Sequence, residues 1–353
     1  MKKLLIFTIA ALLLSACKNP HKPENPTIFD YSVSNISQTT PLLDTVVIDE
    51  GYKAIYLLFS NSLSSVTFPL QVTATFSLTT GATSLPASGS AITFNSIDEL
   101  SHYTVTASDG TEVMYTVSLR DDQIPDNGFE DWYTTEGMNG ASFSEPGMAD
   151  NNTAWATANM GTSTFGVYCT TPLTSDGNTM AKITTGQTSL VPITAGTVFN
   201  GKFDVNGAIN HPTDPKRATD FGIPFCLRPS SISFKYTYQP GSRYVQATLN
   251  SPSNIFGGFT VSDIAGSDMF TAYAVLEKRT ATSTVEIARA EMVSGDVQSS
   301  IKNITLPFTY TSTAKPTHIY VVFSSSKDGD LWKGAVGSTL TVDDVVLNYG
   351  VGK

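Results

Sequence analysis

The sequence contains few of the residues on which metal-dependent and thiol-dependent enzymes rely. Only 4 histidines and 3 cysteines occur in 353 residues. The chain also lacks CxxC, HExxH and GxSxG motifs and a glycine-rich phosphate loop. We therefore expect no zinc centre, serine-hydrolase elbow or nucleotide site. Carboxylate chemistry, which needs only two acidic side chains, stays open.

Positive charge is scarce as well. The chain has 21 Lys and Arg against 31 Asp and Glu, for a formal net charge of -10. Removing the first sixteen residues takes away Lys2 and Lys3 and no acid, so the remainder carries -10 - 2 = -12. Nucleic-acid binding depends on Lys and Arg that neutralise phosphates, so a nucleic-acid partner is excluded. A neutral or cationic ligand is easier to accommodate.

Long apolar runs are absent except at the N-terminus. The run over residues 4–14 is too short to span a bilayer and ends in Leu-Ser-Ala-Cys17, which predicts a signal peptide over residues 1–16. Small residues directly before Cys17 are typical of bacterial lipoproteins, in which this cysteine is acylated; a chance cysteine is the alternative. Residues 17–26 contain three prolines and predict an extended, lipidated linker. We expect an outer-membrane protein that faces the cell exterior and touches the membrane only through its lipid.

Helical periodicity is nearly absent, and short alternating runs of Thr, Val, Ser, Ile, Tyr and Phe predict an all-β fold. The length predicts at least two domains. We expect a small β-sandwich over residues 27–120 and a larger antiparallel jelly-roll sandwich over residues 121–353, beginning near Asn127. The predicted strands are Thr45–Asp49, Lys53–Phe59, Leu70–Leu78, a hairpin over Ser101–Arg120 turning at Asp109-Gly110, Ser231–Tyr238, Tyr244–Leu249, Thr271–Arg279, Val285–Met292, Ile301–Tyr310, His318–Phe323 and Leu340–Tyr349.

Two cysteines remain after the signal peptide, Cys169 and Cys226. An exported protein reaches a compartment that permits disulfides. The sequence leaves open whether the two thiols pair or lie buried separately.

The last predicted strand is irregular. Leu340 and Val342 have one parity, whereas Val345, Leu347 and Tyr349 have the other, so strict alternation would place the two sets on opposite faces. A β-bulge at Asp343-Asp344 restores one apolar face. The sequence therefore predicts a bulge there, with a carboxylate turned out of the ladder.

Several stretches resemble known families. TFSLTTGATSLPASGSAITF and YTVTASDGTEVMYTV resemble the immunoglobulin-like or cadherin-like modules of bacterial surface lipoproteins, which are usually spacers. NGFEDWY, NNTAWATANMG, FGIPFCLRPSSISFKYTYQPG and VVFSSSKDGDLWKGAVGSTLTVDDVVLNY resemble the putative carbohydrate metabolism domain. This second resemblance implies a jelly roll similar to carbohydrate-binding modules, in cell-surface lipoproteins associated with glycan capture.

The same resemblance implies a structural calcium ion. In similar carbohydrate-binding jelly rolls, an Asn-Gly-x-Phe-Glu start and an Asp-Asp-Val finish meet at calcium; this chain has NGFE, one residue shorter. The implied ligands are Glu130 and Asp343, with main-chain oxygens near Asn127. Calcium accepts six to eight oxygens from irregular segments of this kind. Alternatively, these carboxylates cap backbone amides.

Sugar rings stack on exposed aromatic side chains beside polar groups. Trp332 lies among glycines that are too small to enclose it. The candidate ligand-binding residues are Trp332, Trp155, Tyr238, Tyr244 and Arg228. The alternative interpretation of each aromatic candidate is that it fills the hydrophobic core. The polar loop Gly207–Asp220 is a candidate roof over a cleft, or an ordinary surface excursion.

The leading functional hypothesis is a noncatalytic, lipid-anchored, glycan-binding protein that assists carbohydrate capture beside other surface glycan-uptake proteins. The first alternative is a glycoside hydrolase or lyase that uses a carboxylate pair, with Glu277, Glu291, Asp263 and Asp268 as candidates. The second alternative is an adhesin or pilus-like subunit.

Overall fold

The computed structural model describes residues 25–137, 139–148 and 154–350, and this part of the chain is all-β, as predicted. The signal peptide, Cys17 and most of the linker lie outside the described residues. Within the described ranges, no helix is both long and apolar enough to cross a membrane.

Eight strands form a first unit, which we call the N-terminal sandwich. One sheet has the order β1-β4-β6 and the other β2-β3-β8-β7-β5. The predicted hairpin is confirmed: Tyr103 pairs with Tyr115, and Gly110 adopts a φ of 87° in the turn. The immunoglobulin-like designation of this unit stays a prediction. The strands are β1 Ile28–Ile36, β2 Leu43–Asp49, β3 Ala54–Phe59, β4 Leu70–Leu78, β5 Thr83–Leu85, β6 Ala91–Phe94, β7 Ser101–Thr106 and β8 Glu112–Arg120.

The remaining strands form a second, larger unit, the C-terminal sandwich. Its strands are β9 Trp132–Glu136, β10 Ser142–Pro146, β11 Trp155–Thr157, β12 Thr170–Ser175, β13 Asn178–Thr184, β14 Thr197–Phe203, β15 Thr219–Phe221, β16 Ile223–Pro224, β17 Ser231–Gln239, β18 Val245–Leu249, β19 Phe259–Asp263, β20 Phe270–Arg279, β21 Thr284–Ser294, β22 Gln298–Pro307, β23 Thr309–Tyr310, β24 His318–Ser324, β25 Lys333–Gly334 and β26 Thr339–Asn348. Its helices are α1 Asn159–Thr162 and α2 Val205–Asn210, and its 3-10 helices are Ser163–Phe165, Pro215–Ala218, Ile255–Gly257 and Gly329–Leu331.

Two facing sheets enclose the core of this second unit. One is eight-stranded, β11-β14-β24-β20-β21-β23 with β15 and β16 attached, and the other is five-stranded, β12-β13-β26-β17-β22. Their inner faces meet in one apolar cluster that includes Phe234, Phe270 and Phe323. The small sheet β19-β18-β25 lies outside this pair. Alternate residues are buried along β17, for example, so each sheet has a core side and an outer side.

The predicted bulge in the last strand is confirmed. Along β17, Ser233 pairs with Val346 and Lys235 with Asp343, so two residues of β26 oppose one residue of β17. Asp344 takes the left-handed conformation, with φ of 46°. Val345 thereby returns to the core, where it is fully buried.

The two sandwiches pack against each other. Tyr56 and Leu58 of the first unit form a small apolar cluster with Cys226 and Leu227 of the second. Lys315 and Asp44 form an ion pair across the same boundary. Both Cys169 and Cys226 are free, buried thiols, so the disulfide left open by the sequence is not formed.

Candidate functional site

The eight-stranded sheet has a polar, aromatic outer face, by which we mean its side turned away from the core. Along β20, Ala272, Ala274 and Leu276 point into the core. Their neighbours Tyr273 and Glu277 are only half-buried on the opposite side. Because paired residues share a side of a sheet, this register gathers the polar residues of β20, β21 and β24 on one surface.

Three half-buried aromatic side chains form what we call the aromatic row: Phe221, Tyr320 and Tyr273. The rings of Phe221 and Tyr320 are stacked, with centroids 5.5 Å apart, and Tyr320 meets Tyr273 edge-on at 6.2 Å. Within the part of the chain that the structure describes, neither tyrosine hydroxyl has a hydrogen-bond partner. Burial raises the pKa of Tyr320, and the negative charge of Glu277 adds to the shift. The row thus offers ring surface together with neutral hydroxyl groups.

Charged side chains line one edge of the aromatic row. The Arg289 guanidinium lies 5.4 Å from the ring centroid of Tyr273, a cation-π distance. Arg289 also contacts Glu286 at 2.7 Å and Glu291 at 3.9 Å. Glu277 is held at 2.8 Å by Arg279 on the same strand. Donors and acceptors for hydroxyl groups therefore lie beside ring faces.

The segment between β14 and β16 covers one end of this face. The predicted loop Gly207–Asp220 contains most of α2, a 3-10 helix and part of β15, and its Lys216 forms an ion pair of 2.7 Å with Asp330. A cavity of about 730 Å³ lies beneath it, which we call the inter-sandwich cavity because both units line it. Its lining residues are Tyr52, Lys202, Phe203, Asp204, Val205, Asn206, Lys216, Arg217, Thr219 and Asp220.

Trp332 and Tyr244 directly precede strands β25 and β18 of the small sheet β19-β18-β25, which the Lys216–Asp330 ion pair joins to this region. Trp332 is half-buried, adopts φ of 53° and packs edge-on against Phe259 at 5.1 Å. Lys333 lies 5.7 Å from the ring centroid of Tyr244. The indole is therefore not sealed in the core, and it follows Asp330 by two residues.

Trp155 and Tyr238 were wrong as ligand-contacting candidates. Each is only 1% exposed. Trp155 packs on Phe129 at 4.9 Å and donates its indole N–H to the Pro125 carbonyl, while Tyr238 packs on Phe270 at 4.9 Å. Both rings belong to the hydrophobic core of the C-terminal sandwich, so neither is available to a sugar.

Arg228 is exposed but lies away from the other candidates. Its guanidinium donates to the Ser312 carbonyl at 2.8 Å and lies 4.2 Å from the ring centroid of Tyr310. Arg228 precedes β17, whereas Tyr244 follows the far end of that strand. Its contacts are those of a residue that fixes the loop after β23.

The predicted metal ligands contact Asn178 and Thr179 of β13 and Val345 of β26. The Asn127 carbonyl accepts from the Val345 amide at 2.9 Å, which joins the start of the domain to β26. Glu130 accepts from the Thr179 amide at 3.0 Å, and Asp343 accepts from the Asn178 side chain at 3.0 Å.

Asp343 lies beside these groups as a buried carboxylate. It is 2% exposed, and burial raises its pKa. It has no ion-pair partner in the described ranges, whereas Asp344 pairs with Lys235. No group of three or more His, Cys, Asp and Glu side chains suited to a metal occurs among the described residues. The donor set present is therefore two carboxylates plus main-chain and amide oxygens, which suits a hard cation.

The four carboxylates considered for catalysis lie in different settings. Glu277 and Glu291 are on the outer face. Asp268 is 1% exposed and accepts from the Ser338 hydroxyl at 2.7 Å, so it is enclosed. Asp263 is exposed and forms an ion pair of 2.7 Å with Arg243. Only the first two have access to a ligand on the aromatic row.

The family model described as "Putative carbohydrate metabolism domain" matches residues 128–348. A solved structure of a putative glycoside hydrolase from Bacteroides thetaiotaomicron is 25% identical, with a TM-score of 0.54, and the alignment covers 91% of this chain and 97% of that chain. A second putative glycoside hydrolase, from Bacteroides vulgatus, is 23% identical, with a TM-score of 0.52, covering 63% of this chain and 96% of that chain. The sequence matches none of the curated proteins with which it was compared.

Proposed function

Since the chain belongs to the putative carbohydrate metabolism domain family, we propose that it binds a glycan noncatalytically on the outer face of the eight-stranded sheet. The observation that carries this proposal is the aromatic row, with unpartnered tyrosine hydroxyls within the described residues and with Arg289 against Tyr273. The carbohydrate connection of the family and the fold shared with the two Bacteroides structures support it.

The physical basis is the match between a sugar and this surface. A pyranose has C–H faces that pack on aromatic rings and hydroxyls that need both donors and acceptors. Tyr320 and Tyr273 supply rings and hydroxyls, and Arg289 with Glu291 supplies a donor and an acceptor. The rings pack on one another, which restricts their rotamers before binding, so little side-chain entropy is lost when a ligand binds.

Replacing Tyr273 with alanine is expected to weaken glycan binding by about tenfold or more, because a buried ring contact and a hydroxyl are lost together. The measurement is a glycan array followed by titration calorimetry, using residues 27–353 and the strongest array ligand. Tyr168→Ala is the matched control, since Tyr168 is an exposed tyrosine outside the aromatic row, 42% exposed. Equal affinity for both variants and the wild type would remove the aromatic row from the proposal.

A glycoside hydrolase is the second candidate. It is favoured by the 25% identity to a chain described as a putative glycoside hydrolase and by two outer-face carboxylates, Glu286 and Glu291, that contact one guanidinium. Release of reducing ends over time in the same titration samples, abolished by Glu291→Gln, would support hydrolysis. Binding without product supports the noncatalytic function. No observation on the described residues favours the adhesin or pilus-like alternative.

We also propose a structural calcium ion held by Glu130, Asp343 and main-chain oxygens near Asn127. Calcium is expected to raise the melting temperature, because an ion that binds only the folded state stabilises it by about 2.7 kcal/mol at 100 times its Kd. Asp343→Asn should abolish this rise, whereas Asp344→Asn should keep it, since Asp344 is paired with Lys235. Differential scanning fluorimetry in calcium and in EDTA makes the comparison. A rise of equal size in both variants would place the ion elsewhere.

The lipid anchor at Cys17 and the outer-membrane location are also proposals. Their support is the apolar run over residues 4–14 that ends in small residues before Cys17. Labelling of cells with a fatty acid should mark the wild type and not Cys17→Ser. Equal labelling of both would exclude acylation at this position.

A further inference from the structure

The inter-sandwich cavity combines residues from both units at one end of the aromatic row. Tyr52 lies between β2 and β3 of the N-terminal sandwich, and its hydroxyl donates to Asp220 of β15 at 3.0 Å. The Lys202 ammonium lies 3.1 Å from the centroid of the Tyr52 ring. Phe221, the first ring of the aromatic row, directly follows Asp220. The cavity therefore begins one residue from the surface assigned to glycan binding.

Unused hydrogen-bonding groups converge on this cavity. Asp204 accepts the Gly207 amide through Oδ1 at 2.9 Å, and Asp220 accepts Tyr52 through Oδ2. The second oxygen of each carboxylate has no hydrogen-bond donor within the described part of the chain. The Lys202 ammonium likewise forms no ion pair or hydrogen bond with any described residue. Free acceptors thus face one space beside Tyr52, which is 40% exposed, while the Lys202 ammonium covers one face of the Tyr52 ring.

The charge balance argues against an anionic ligand. Three cationic and two anionic side chains line the cavity. Lys216 is already paired with Asp330 at 2.7 Å, and Arg217 lies 3.6 Å from Asp214. Lys202 is left against the two carboxylates of the lining, and burial lowers its pKa to about 8. A carboxylate or sulfate in this space would meet two like charges, and two of the three cations are already paired with carboxylates.

The size of the cavity fits a small ligand rather than a water cluster. Its volume, about 730 Å³, lies within the range of roughly 300 to 1,000 Å³ usual for small-molecule sites. Neutral polyols need mixed donors and acceptors and one apolar face, which is the composition found here.

We propose that the inter-sandwich cavity is a second saccharide subsite for a neutral sugar unit of the glycan bound on the aromatic row, with Tyr52 of the N-terminal sandwich as its stacking ring. This inference rests on the proposed glycan-binding function and extends it to the first unit. The N-terminal sandwich is then part of the binding site and not only a spacer.

The test compares soluble chains of residues 27–353, which contain both sandwiches, on an array of neutral, uronate-bearing and sulfated oligosaccharides, short and long. Tyr52→Ala is expected to weaken binding of the long neutral ligands by about fivefold to tenfold and to leave the short ones unchanged, because only a long chain reaches both surfaces. Tyr52→Phe keeps the ring and should retain most of the affinity. Phe29→Ala is the control, since Phe29 is an aromatic residue of the same unit with nearly equal exposure, 43%, on the other sheet.

The outcomes separate this inference from the function on which it rests. Binding by the wild type that is lost in Tyr273→Ala but unaffected by Tyr52→Ala overturns the second subsite and leaves the proposed function in place. If only uronate-bearing or sulfated ligands bind, the assignment of a neutral sugar unit to the inter-sandwich cavity is overturned. No binding by the wild type overturns both. Melting curves of Tyr52→Ala and Phe29→Ala show whether a loss of binding comes from unfolding.

If Tyr52→Ala unfolds, two single variants, Tyr52→Phe and Lys202→Met, decide the question. Binding of long ligands that is weakened in Lys202→Met but kept in Tyr52→Phe supports the subsite, whereas unchanged binding in Lys202→Met overturns it.

Discussion

Replacing Asp268 with alanine is expected to destabilise the C-terminal sandwich by about 4 kcal/mol and to lower its melting temperature by about 10 °C. Asp268 is 1% exposed. One of its oxygens accepts from the Ser338 hydroxyl at 2.7 Å and the Ala335 amide at 2.8 Å, as well as from the Ser326 hydroxyl. Its loss removes the acceptor of the buried Ala335 amide and Ser338 hydroxyl, and charge-assisted bonds are the stronger kind.

The substitution is also expected to affect glycan binding, because two of the three donors flank a segment of the candidate site. Ser326 and Ser338 flank the segment that carries Asp330 and Trp332, so Asp268 fixes that segment beside the outer face. We expect weaker glycan binding by Asp268→Ala even below its melting temperature. Calorimetric melting and glycan titration measure the two effects.

Asp263→Ala is the matched control for this prediction. Asp263 is exposed and pairs with the exposed Arg243 at 2.7 Å, an arrangement that contributes at most about 1 kcal/mol. A destabilisation of similar size in both variants would show that the buried network around Asp268 has no special role.

The substitution Glu145→Gln is expected to raise the free energy of unfolding by about 4 kcal/mol more at pH 8 than at pH 4. Glu145 is 7% exposed, and burial raises its pKa from 4.5 to about 8. The Thr157 hydroxyl donates to one carboxyl oxygen at 2.8 Å, whereas the other has no partner among the described residues. A glutamine keeps the acceptor and cannot ionise.

The direction of the pH effect follows from the number of protons that Glu145 binds in the folded and in the unfolded state. Between pH 4.5 and about 8, the folded protein keeps the Glu145 proton and the unfolded chain loses it, so the stability of the wild type falls as the pH rises. Glu145→Gln lacks this contribution to the pH dependence of the free energy of unfolding. Denaturant unfolding across this range measures it, with Glu112→Gln, an exposed glutamate, as the control. Parallel pH profiles for the wild type and Glu145→Gln would mean that Glu145 is ionised in the folded state.

The regular strands were predictable because their periodicity is local. Leu70–Leu78 has the predicted bounds, and the parity change in β26 was enough to locate its bulge. β14 was not predicted: its Phe199 lies on the outer face but is fully buried, beneath Phe221. Burial on both sides removes the alternation by which a strand is recognised.

The binding candidates were less predictable, because exposure is a tertiary property. The polar neighbours of Trp155 suggested a surface position, yet Phe129 and Phe323 enclose its ring. Tyr273 and Tyr320 were missed, although Tyr273 alternates with alanines in FTAYAVLEKR and Tyr320 with core residues in HIYVVFS. That pattern shows that each ring lies opposite the core but not that the two rings meet.

The sequence alone determined the all-β class, the position of strands such as β4, β7 and β17, and the side of those strands that enters the core, since these depend on neighbouring residues and a period of two. Only the tertiary structure decided that β15, β24 and β20 place Phe221, Tyr320 and Tyr273 in one row, and that Tyr52 reaches the same end of the sheet from the other sandwich. Strand order and register join residues far apart in the chain, and no local pattern encodes which strands become neighbours.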